Sequence, residues 1–440
     1  MLQSLVDLIG TQLGQLPDYR KVSPNQKYTI RDAALSAFAV FMMQSPSFLA
    51  QQRDMERTKG RDNTQSLFGV HRIPSDNQIR ALLDPIAPSY VSEPYWKVFE
   101  QLKAGKLLVG HTGIASTWLC TLDGVHFFSS SKIHCQNCTR QEHDGHVHYG
   151  HSMVAPALVA PHSSNVFSLE PEFVLPQDGS EKQDCEQNAT RRHAPVGLPE
   201  WLSRNAARLG AEQVTFLGDD LYCKQPFCEQ VMALQSHFIL ICKPDSHETL
   251  YTEVELLATA KLLDTRSERV WNGRFHEQRR YRFTNGVPLR AGADGLLVNW
   301  CDVTIVHTQT AEQLYYNSFV TNYPLSQNTV AEVVRSGRAR WKTENEHYNT
   351  LKNRGYHLEH NFGHGEQYLS ALLASLNLLA FLLHTVLWLT EPTALQVRTA
   401  LGTLQTFWGD VRTLTRFHYF RSWAQLFDFM HTQLELEASP

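Results

Sequence analysis

Three acidic residues, far apart along the chain, stand where carboxylates commonly do chemistry. Asp123 lies in TLDG, within an apolar segment predicted as a strand, where an unpaired charge is costly. Asp219 ends the predicted strand VTFLGDD, and α/β proteins collect their sites at strand tips. Glu344 lies on a predicted helix about one turn after Arg340. Converging carboxylates repel one another unless a cation lies between them, and Mg²⁺ or Mn²⁺ binds such oxygen ligands. The three acids therefore form a candidate two-metal site for phosphoryl transfer.

Two positions leave alternatives open at this stage. Asp220 follows Asp219 directly, and either carboxylate could instead cap the helix that comes next. Glu346 lies two residues after Glu344 on the same predicted helix.

The apolar pattern divides the chain into five segments, which together predict an α/β fold. They are a helical N-terminal domain for DNA binding or dimerisation at 1–105, a core at 106–245, a β-rich insertion at 246–325, the rest of the core with the Glu344 helix at 326–390, and C-terminal helices at 391–440. The core is predicted to have the element order β-β-β-α-β-α-β. Its first three predicted strands are STWLCTLDGVHFF, HVHYGHSMVAPALVA and SNVFSLEPEFVLP. The segment that follows them, EKQDCEQNATRRHAPVGLPEWLSRNAARLG, is predicted to be largely helical.

Smaller signals refine this reading of the segments. Ser75 is a predicted N-cap for a helix with Ile79, Leu82 and Leu83 on one face. Asn285-Gly286 predicts a hairpin turn within the insertion. The apolar run 372–389 approaches the length of a membrane span, but its polar residues and missing basic flank favour a buried helix.

The distribution of charge along the chain indicates where a polyanion such as DNA could bind. The 440 residues carry a net charge of −4, so any such site must be built from local patches. The segment 261–290 is locally basic and interleaves arginines with aromatic residues, which suits DNA as well as a solvated sheet face. Arg279, Arg280 and Arg282 are its candidate DNA contacts.

A second cluster combines cysteine and histidine. KIHCQNCTRQEHDGHVHYGH contains Cys135-x-x-Cys138 among several histidines, a spacing typical of zinc ligands. His134, Cys135, Cys138 and His146 form the candidate structural Zn²⁺ site; an exposed hairpin tip is the alternative.

The order of these features resembles the DDE transposases of bacterial insertion sequences, in particular those with a β insert between the second Asp and the Glu. The resembling stretches are TLDGVHFFSSSKIHC, VTFLGDDLYCKQP and GRARWKTENEHYNTLKNRGYHLEHNFGHG. Matched position by position, Asp123, Asp219 and Glu344 correspond to the metal-binding acids, and Arg340 and Lys352 to DNA contacts. The chain departs from the related signature at Gly337, where a Tyr is usual, and Lys352 is displaced by one position.

The resemblance implies an RNase H-like mixed sheet flanked by helices, interrupted by an antiparallel β insertion. It implies metal-dependent cleavage and strand transfer at the ends of a mobile element, with Mg²⁺ or Mn²⁺ as cofactor. Double-stranded DNA, comprising terminal inverted repeats and target, is the expected partner of a homodimer in the bacterial cytoplasm, with no membrane association. A nuclease of the same fold that only hydrolyses DNA, and an inactive domesticated DNA-binding protein, are the alternatives.

Overall fold

The computed structural model describes residues 1–21, 23–24, 26–55, 62–143, 145–176, 198–210 and 213–437. The helices are α1 Leu2–Leu13, α2 Ile30–Met42, α3 Phe48–Met55, α4 Asn63–Phe68, α5 Asp76–Leu83, α6 Ser92–Ala104, α7 Leu198–Leu209, α8 Gln225–Ala233, α9 Glu248–Thr259, α10 Val330–Arg338, α11 Asn349–Asn353, α12 Leu369–Thr390, α13 Pro392–Leu401, α14 Leu404–Phe417 and α15 Trp423–Gln433. A π-helix, Thr343–Tyr348, precedes α11.

The strands are β1 Trp118–Thr121, β2 Gly124–Ser130, β3 Thr139–His143, β4 His146–Val154, β5 Ala157–Ala160, β6 Ser163–Ser168, β7 Glu172–Val174, β8 Val214–Gly218, β9 His237–Ile241, β10 Asp264–Trp271, β11 His276–Pro288, β12 Leu297–His307 and β13 Gln313–Thr321. Within the described residues, nine of them form one mixed sheet, in the order β10-β11-β12-β13-β9-β8-β1-β5-β6. The prediction of an α/β fold with a mixed sheet flanked by helices is confirmed at this level.

The centre of the large sheet is parallel and its two sides are antiparallel. β1, β8 and β9 run parallel, whereas β5 and β6 continue antiparallel on one side of β1. Strands β10 to β13 extend the other side antiparallel, because β13 pairs with β9. The basic segment is therefore part of the same sheet rather than a separate β unit.

A smaller sheet leaves the large one at Asp123. β2 pairs with β4, and β3 and β7 pair with the other edge of β4. The first two segments predicted as single strands are each divided between the two sheets, as β1 with β2 and β4 with β5. Asp123 therefore lies at the break between two strands and not inside one. The third predicted strand is divided as well, into β6 and β7.

The hairpin turn predicted at Asn285-Gly286 is wrong. These residues lie inside β11, where the register with β12 shifts between Thr284 and Val287. Gly286 has φ of +74° and permits this bulge. The Asn285 side chain holds Leu325 through two hydrogen bonds, of 3.0 Å to its carbonyl and 2.8 Å from its N–H. The sequence signal thus marks a bulge that anchors a neighbouring loop.

Helices from both ends of the chain pack together around α12. This apolar helix packs against α2 and β6, and α14 packs against α3. The buried Asn63 side chain donates to the carbonyls of Thr415, at 2.6 Å, and His418, at 2.8 Å. One helix among the described residues, α12, has the length and hydropathy of a membrane span, and 89% of its most apolar stretch is buried inside the fold. This agrees with the buried helix predicted at 372–389.

The other sequence signals have mixed outcomes. α5 begins after Ser75, whose N–H is accepted by Gln78 Oε1 at 3.2 Å, so the predicted N-cap is confirmed. The helix predicted before residue 210 is described only as α7, and the earlier part of that segment lies outside the described residues.

Candidate active site and metal centre

Strand register brings Asp123 and Asp219 to one edge of the large sheet. β1 and β8 are parallel, with Thr121 opposite Leu217. The Leu122 N–H continues the pairing by donating to the Leu217 carbonyl at 2.8 Å. Each aspartate lies two residues beyond its partnered position, so both follow the carboxyl ends of neighbouring parallel strands.

Hydrogen bonds distinguish Asp219 from Asp220. The Asp220 carboxylate is buried and accepts the Lys243 N–H at 2.6 Å, with His247 Nε2 3.3 Å away. Burial opposes ionisation of Asp220, but hydrogen bonds from His247, Ser246 and the Lys243 backbone prevail and lower its pKa to about 2. Asp220 thus ties β8 to the loop after β9. Asp219 accepts the Leu221 N–H at 2.9 Å and contributes to the charge around Arg340.

Glu344 reaches the same edge from the π-helix. Thr343 Oγ1 donates to Thr121 Oγ1 at 2.7 Å, and the Tyr348 hydroxyl donates to the Asp123 carbonyl at 2.5 Å. These two bonds attach both ends of the π-helix to the end of β1 and the residues after it. π-Helical turns are rare and occur frequently at functional sites.

The guanidinium of Arg340 contacts two of the three acids. Its Nη2 lies 2.9 Å from Glu344 Oε1 and its Nη1 lies 3.6 Å from Asp123 Oδ1. Burial alone would lower the pKa of Arg340, but the charges of Asp123, Glu344 and Asp219 raise it overall. The fold therefore places Asp123 and Glu344 against the side chain of Arg340, and Asp219 close enough to interact with it electrostatically.

The carboxylates are not close enough together to enclose an ion. Groups of potential ligands whose donor atoms all lie within 4.8 Å of one another occur twice in the described part of the chain, and neither group contains these acids. The guanidinium lies against Asp123 and Glu344 and offsets part of the repulsion between the acids.

The basic residues predicted to contact DNA have different roles. Arg282 forms an ion pair with the buried Asp302, and Arg279 lies 3.1 Å from Glu277. Arg280 is exposed. Lys352 Nζ lies 2.7 Å from Glu359 Oε1. Arg282 is thus committed to a structural ion pair.

A basic groove runs between β11 and the end of α10. It is lined by Arg279, Arg335, Arg338 and Lys342, together with His162 and Trp341. Arg338 and Lys342 each lie two residues from Arg340 in the sequence, but Arg340 and the three acids are not among the residues that line the basic groove. The Trp341 ring is 47% exposed and Lys342 lies 5.1 Å from its centroid. Arg335, Arg338 and Lys342 are not among the residues predicted from the sequence, although Arg335 and Arg338 shortly precede Arg340 and Lys342 lies between Arg340 and Glu344.

Two cysteines and two histidines form a separate metal-ligating cluster. Cys135 and Cys138 lie in the loop between β2 and β3, His151 is in β4, and His364 precedes α12. Three of the four side chains are buried and Cys135 is half-buried. A hydrogen bond from Cys138, together with His151, lowers the pKa of the Cys135 thiol despite its burial. The arrangement can hold a metal ion, which fits the zinc prediction at the level of the two cysteines.

The two histidines chosen from the sequence are not the ones in the cluster. The His134 ring lies 4.4 Å from that of Tyr149, and His146 is exposed at the start of β4. The two histidines of the cluster are instead His151, which lies in β4, and His364, which lies more than two hundred residues later in the chain. The only local feature of His364 in the sequence is the glycine on each side of it. Spacing along the chain cannot pair His364 with Cys135 and Cys138, because they are too far apart in sequence.

The second group with metal-ligating atoms is buried beside Asp220. It consists of Cys223, Cys242 and His247. Burial raises the pKa of the Cys223 thiol well above its usual range.

The chain matches no protein-family model, and no curated protein matches its sequence.

Proposed function

We propose that this chain is a DNA transposase that cuts and joins DNA strands through an RNase H-like core with Asp123, Asp219 and Glu344 as its catalytic acids. The observation that carries the proposal is that Asp123 and Glu344 lie against the guanidinium of Arg340, while Asp219 interacts with it electrostatically. Acids on a protein surface usually lie apart, whereas here two acids share one partly buried guanidinium and a third lies within its electrostatic reach, which favours a site that binds a charged ligand.

The strand order supports an RNase H-like core. The expected order β-β-β-α-β-α-β corresponds to β1, β5, β6, α7, β8, α8 and β9. The first three are antiparallel neighbours, and β8 and β9 follow parallel to β1. In this interpretation β10 to β13 are the insertion between the second Asp and the Glu.

The donor set suits hard divalent cations. Asp123, Asp219 and Glu344 offer carboxylate oxygens, and Mg²⁺ is typically bound by one or two carboxylates together with substrate phosphate. When bound, Mg²⁺ or Mn²⁺ would favour deprotonation of the attacking hydroxyl and stabilise charge on the leaving oxygen. Arg340 holds the acids together until then and would afterwards be available to a phosphate oxygen.

The basic groove gives the phosphate backbone of DNA a place to bind. Its four cationic side chains compensate locally for the negative net charge of the chain. Trp341 offers an exposed aromatic face on which an unpaired base could stack. This groove, rather than the whole basic segment, is the proposed path of the DNA backbone.

The decisive experiment is a cleavage and strand-transfer assay with the full chain and the DNA that flanks its gene. With Mg²⁺ or Mn²⁺, we expect nicks at the element ends and joining of the resulting 3′-hydroxyl to target DNA. Asp123→Asn and Asp219→Asn should each reduce cleavage by about 10²-fold or more while retaining DNA binding.

The same assay tests the alternatives. Hydrolysis without joining would indicate a nuclease of the same fold. Sequence-specific binding without cleavage by the wild-type chain would indicate a DNA-binding protein with an inherited but inactive site. Cleavage that persists at full rate in Asp123→Asn would refute the assignment of that acid.

A further inference from the structure

We propose that Cys135, Cys138, His151 and His364 bind one structural Zn²⁺ that fastens the smaller sheet to the segment before α12. This site is separate from the proposed transposase acids and does not depend on that proposed function.

Five of the six distances among the four donor atoms are close to those of a tetrahedral zinc site, and the sixth, between Cys135 and His364, is within 4.8 Å. Ideal tetrahedral geometry with Zn–S of about 2.3 Å and Zn–N of about 2.05 Å gives edges of roughly 3.8 Å for S–S, 3.6 Å for S–N and 3.3 Å for N–N. The Cys135 and Cys138 sulfurs lie 3.9 Å apart. His151 Nε2 lies 3.6 Å and 3.4 Å from these sulfurs, respectively. His364 Nε2 lies 3.3 Å from Cys138 Sγ and 3.2 Å from His151 Nε2.

Hydrogen bonding prepares His364 as a ligand. Its Nδ1 lies 2.8 Å from the Gly365 carbonyl, which can only accept, so Nδ1 carries the hydrogen. In the neutral ring Nε2 then presents its lone pair to the cluster. The Nε2 atoms of His151 and His364 face each other at 3.2 Å.

The ligand set indicates a structural role. Four protein ligands complete the usual coordination of Zn²⁺, whereas a catalytic zinc keeps one position open for water or substrate. The Cys135-Cys138 loop also holds the later segment directly, because Asn137 donates to the Gln367 carbonyl at 2.8 Å. An ion at this point would join parts of the chain that are separated by over two hundred residues.

The same junction reaches the N-terminal helices. Asp84, at the end of α5, accepts the N–H groups of Glu366 and Gln367, both at 3.0 Å. Gly365 has φ of +71°, and a Cβ there would lie 2.1 Å from Asp84 Oδ1. The glycine beside the ligand thus lets α5 approach the cluster. Zinc would therefore hold three parts of the fold together: the β2–β3 loop with β4, the segment before α12, and α5.

The test is metal analysis of the full chain purified under reducing conditions, combined with Co²⁺ substitution. We expect one zinc per chain, released by a strong chelator with loss of thermal stability and restored by Zn²⁺. The Co²⁺ form should show the intense visible bands of tetrahedral coordination and a thiolate charge-transfer band. Cys138→Ser and His364→Asn should lower metal affinity by at least about tenfold.

His134→Asn and His146→Asn are the matched controls, because these histidines are close in sequence but outside the cluster. Both should retain one zinc and the Co²⁺ spectrum. If the Cys138 and His364 variants fail to fold, the chelation and refilling of the wild-type chain still decide the question. A wild-type chain that neither contains zinc nor shows thiolate bands with Co²⁺ would overturn the proposal, as would unchanged metal content in soluble Cys138→Ser.

Discussion

Arg340 Nη2 lies 2.9 Å from Glu344 Oε1, one helical turn away, and the same guanidinium lies 3.6 Å from Asp123. The turn between α10 and the π-helix that carries Glu344 therefore supplies the positive charge that lies against Asp123 and Glu344. This arrangement makes Arg340 a competitor of a divalent cation for the same carboxylates.

Replacing Arg340 with Gln should tighten binding of Mn²⁺ to the protein without DNA. Removing one positive charge at this distance is worth on the order of 1.4 kcal/mol in a partly screened environment, or about tenfold in affinity. Isothermal titration calorimetry with Mn²⁺ measures this change. DNA cleavage should nevertheless fall, since the guanidinium would no longer reach phosphate. Unchanged Mn²⁺ affinity would show that Arg340 does not compete with the ion.

Glu344→Gln should abolish cleavage, whereas Glu346→Gln should leave most of it. Glu344 is bonded to the shared guanidinium, while Glu346 interacts electrostatically with Lys342 on the groove side. The expected loss for Glu344→Gln is about 10²-fold or more in the rate of nicking. Both variants lie on the same π-helix, so a general disturbance of this helix would affect them equally. Loss in Glu346→Gln alone would reverse the assignment.

Charge removal in the basic groove should weaken DNA binding and its dependence on salt. Arg338→Ala and Lys342→Ala should each reduce the slope of log affinity against log salt by about one unit if each side chain neutralises one phosphate. Fluorescence anisotropy of labelled duplex at several salt concentrations measures the slope. Arg421→Ala, an exposed arginine before α15, is the control and should keep the slope. An unchanged slope in both groove variants would place the DNA elsewhere.

Arg282→Ala should cost stability rather than DNA affinity. Its Nε donates to Asp302 Oδ1 at 3.2 Å, and Asp302 is 1% exposed, so the variant leaves a buried carboxylate without its ion partner. Because the Arg282 side chain is itself 49% exposed, we expect a loss of about 1–3 kcal/mol in the free energy of unfolding, measured with urea. The double variant with Asp302→Asn should recover part of this loss. A full-length variant with normal stability and weakened DNA binding would restore Arg282 to the DNA interface.

How far the sequence predicted the site depends on the range of the contacts involved. Asp123 and Asp219 could be selected because strand ends and short apolar runs are local signals, and parallel pairing of β1 with β8 then brings them together. The sequence does not reveal the division of the first predicted strand at Asp123, because β-branched and aromatic residues occur in both halves. Arg282 looked equivalent to Arg280 until the register placed Asp302 opposite it.

The metal-ligating cluster shows the same limit more clearly. Cys135 and Cys138 are close in sequence, so their spacing identified them. Whether His151 belongs to the cluster depends on which face of β4 points inward. Whether His364 belongs to it depends on how the segment before α12 packs against the β2–β3 loop. Such pairings follow from the whole fold and leave no periodic pattern in the sequence.

Asp220 provides a prediction about pH. Its pKa in the folded state is about 2, below the value of 3.8 for an unperturbed Asp. A group with a lowered pKa in the folded state contributes stability above its unfolded pKa, and this contribution is lost as the pH falls towards 2. The difference corresponds to about 2 kcal/mol at neutral pH. Asp220→Asn should therefore destabilise the chain by about that amount at pH 7, and the difference from wild type should shrink between pH 4 and pH 2.

Urea unfolding of both proteins across this pH range measures the effect, with Asp245→Asn, an exposed acid in the same loop region, as the control. The control should follow wild type at every pH. Because Asp220 ties β8 to the loop after β9, the Asn variant should reduce cleavage only in proportion to the fraction unfolded. If the Asp220→Asn protein is stable but does not cleave DNA, and Asp219→Asn still cleaves, then Asp220 rather than Asp219 is the catalytic acid.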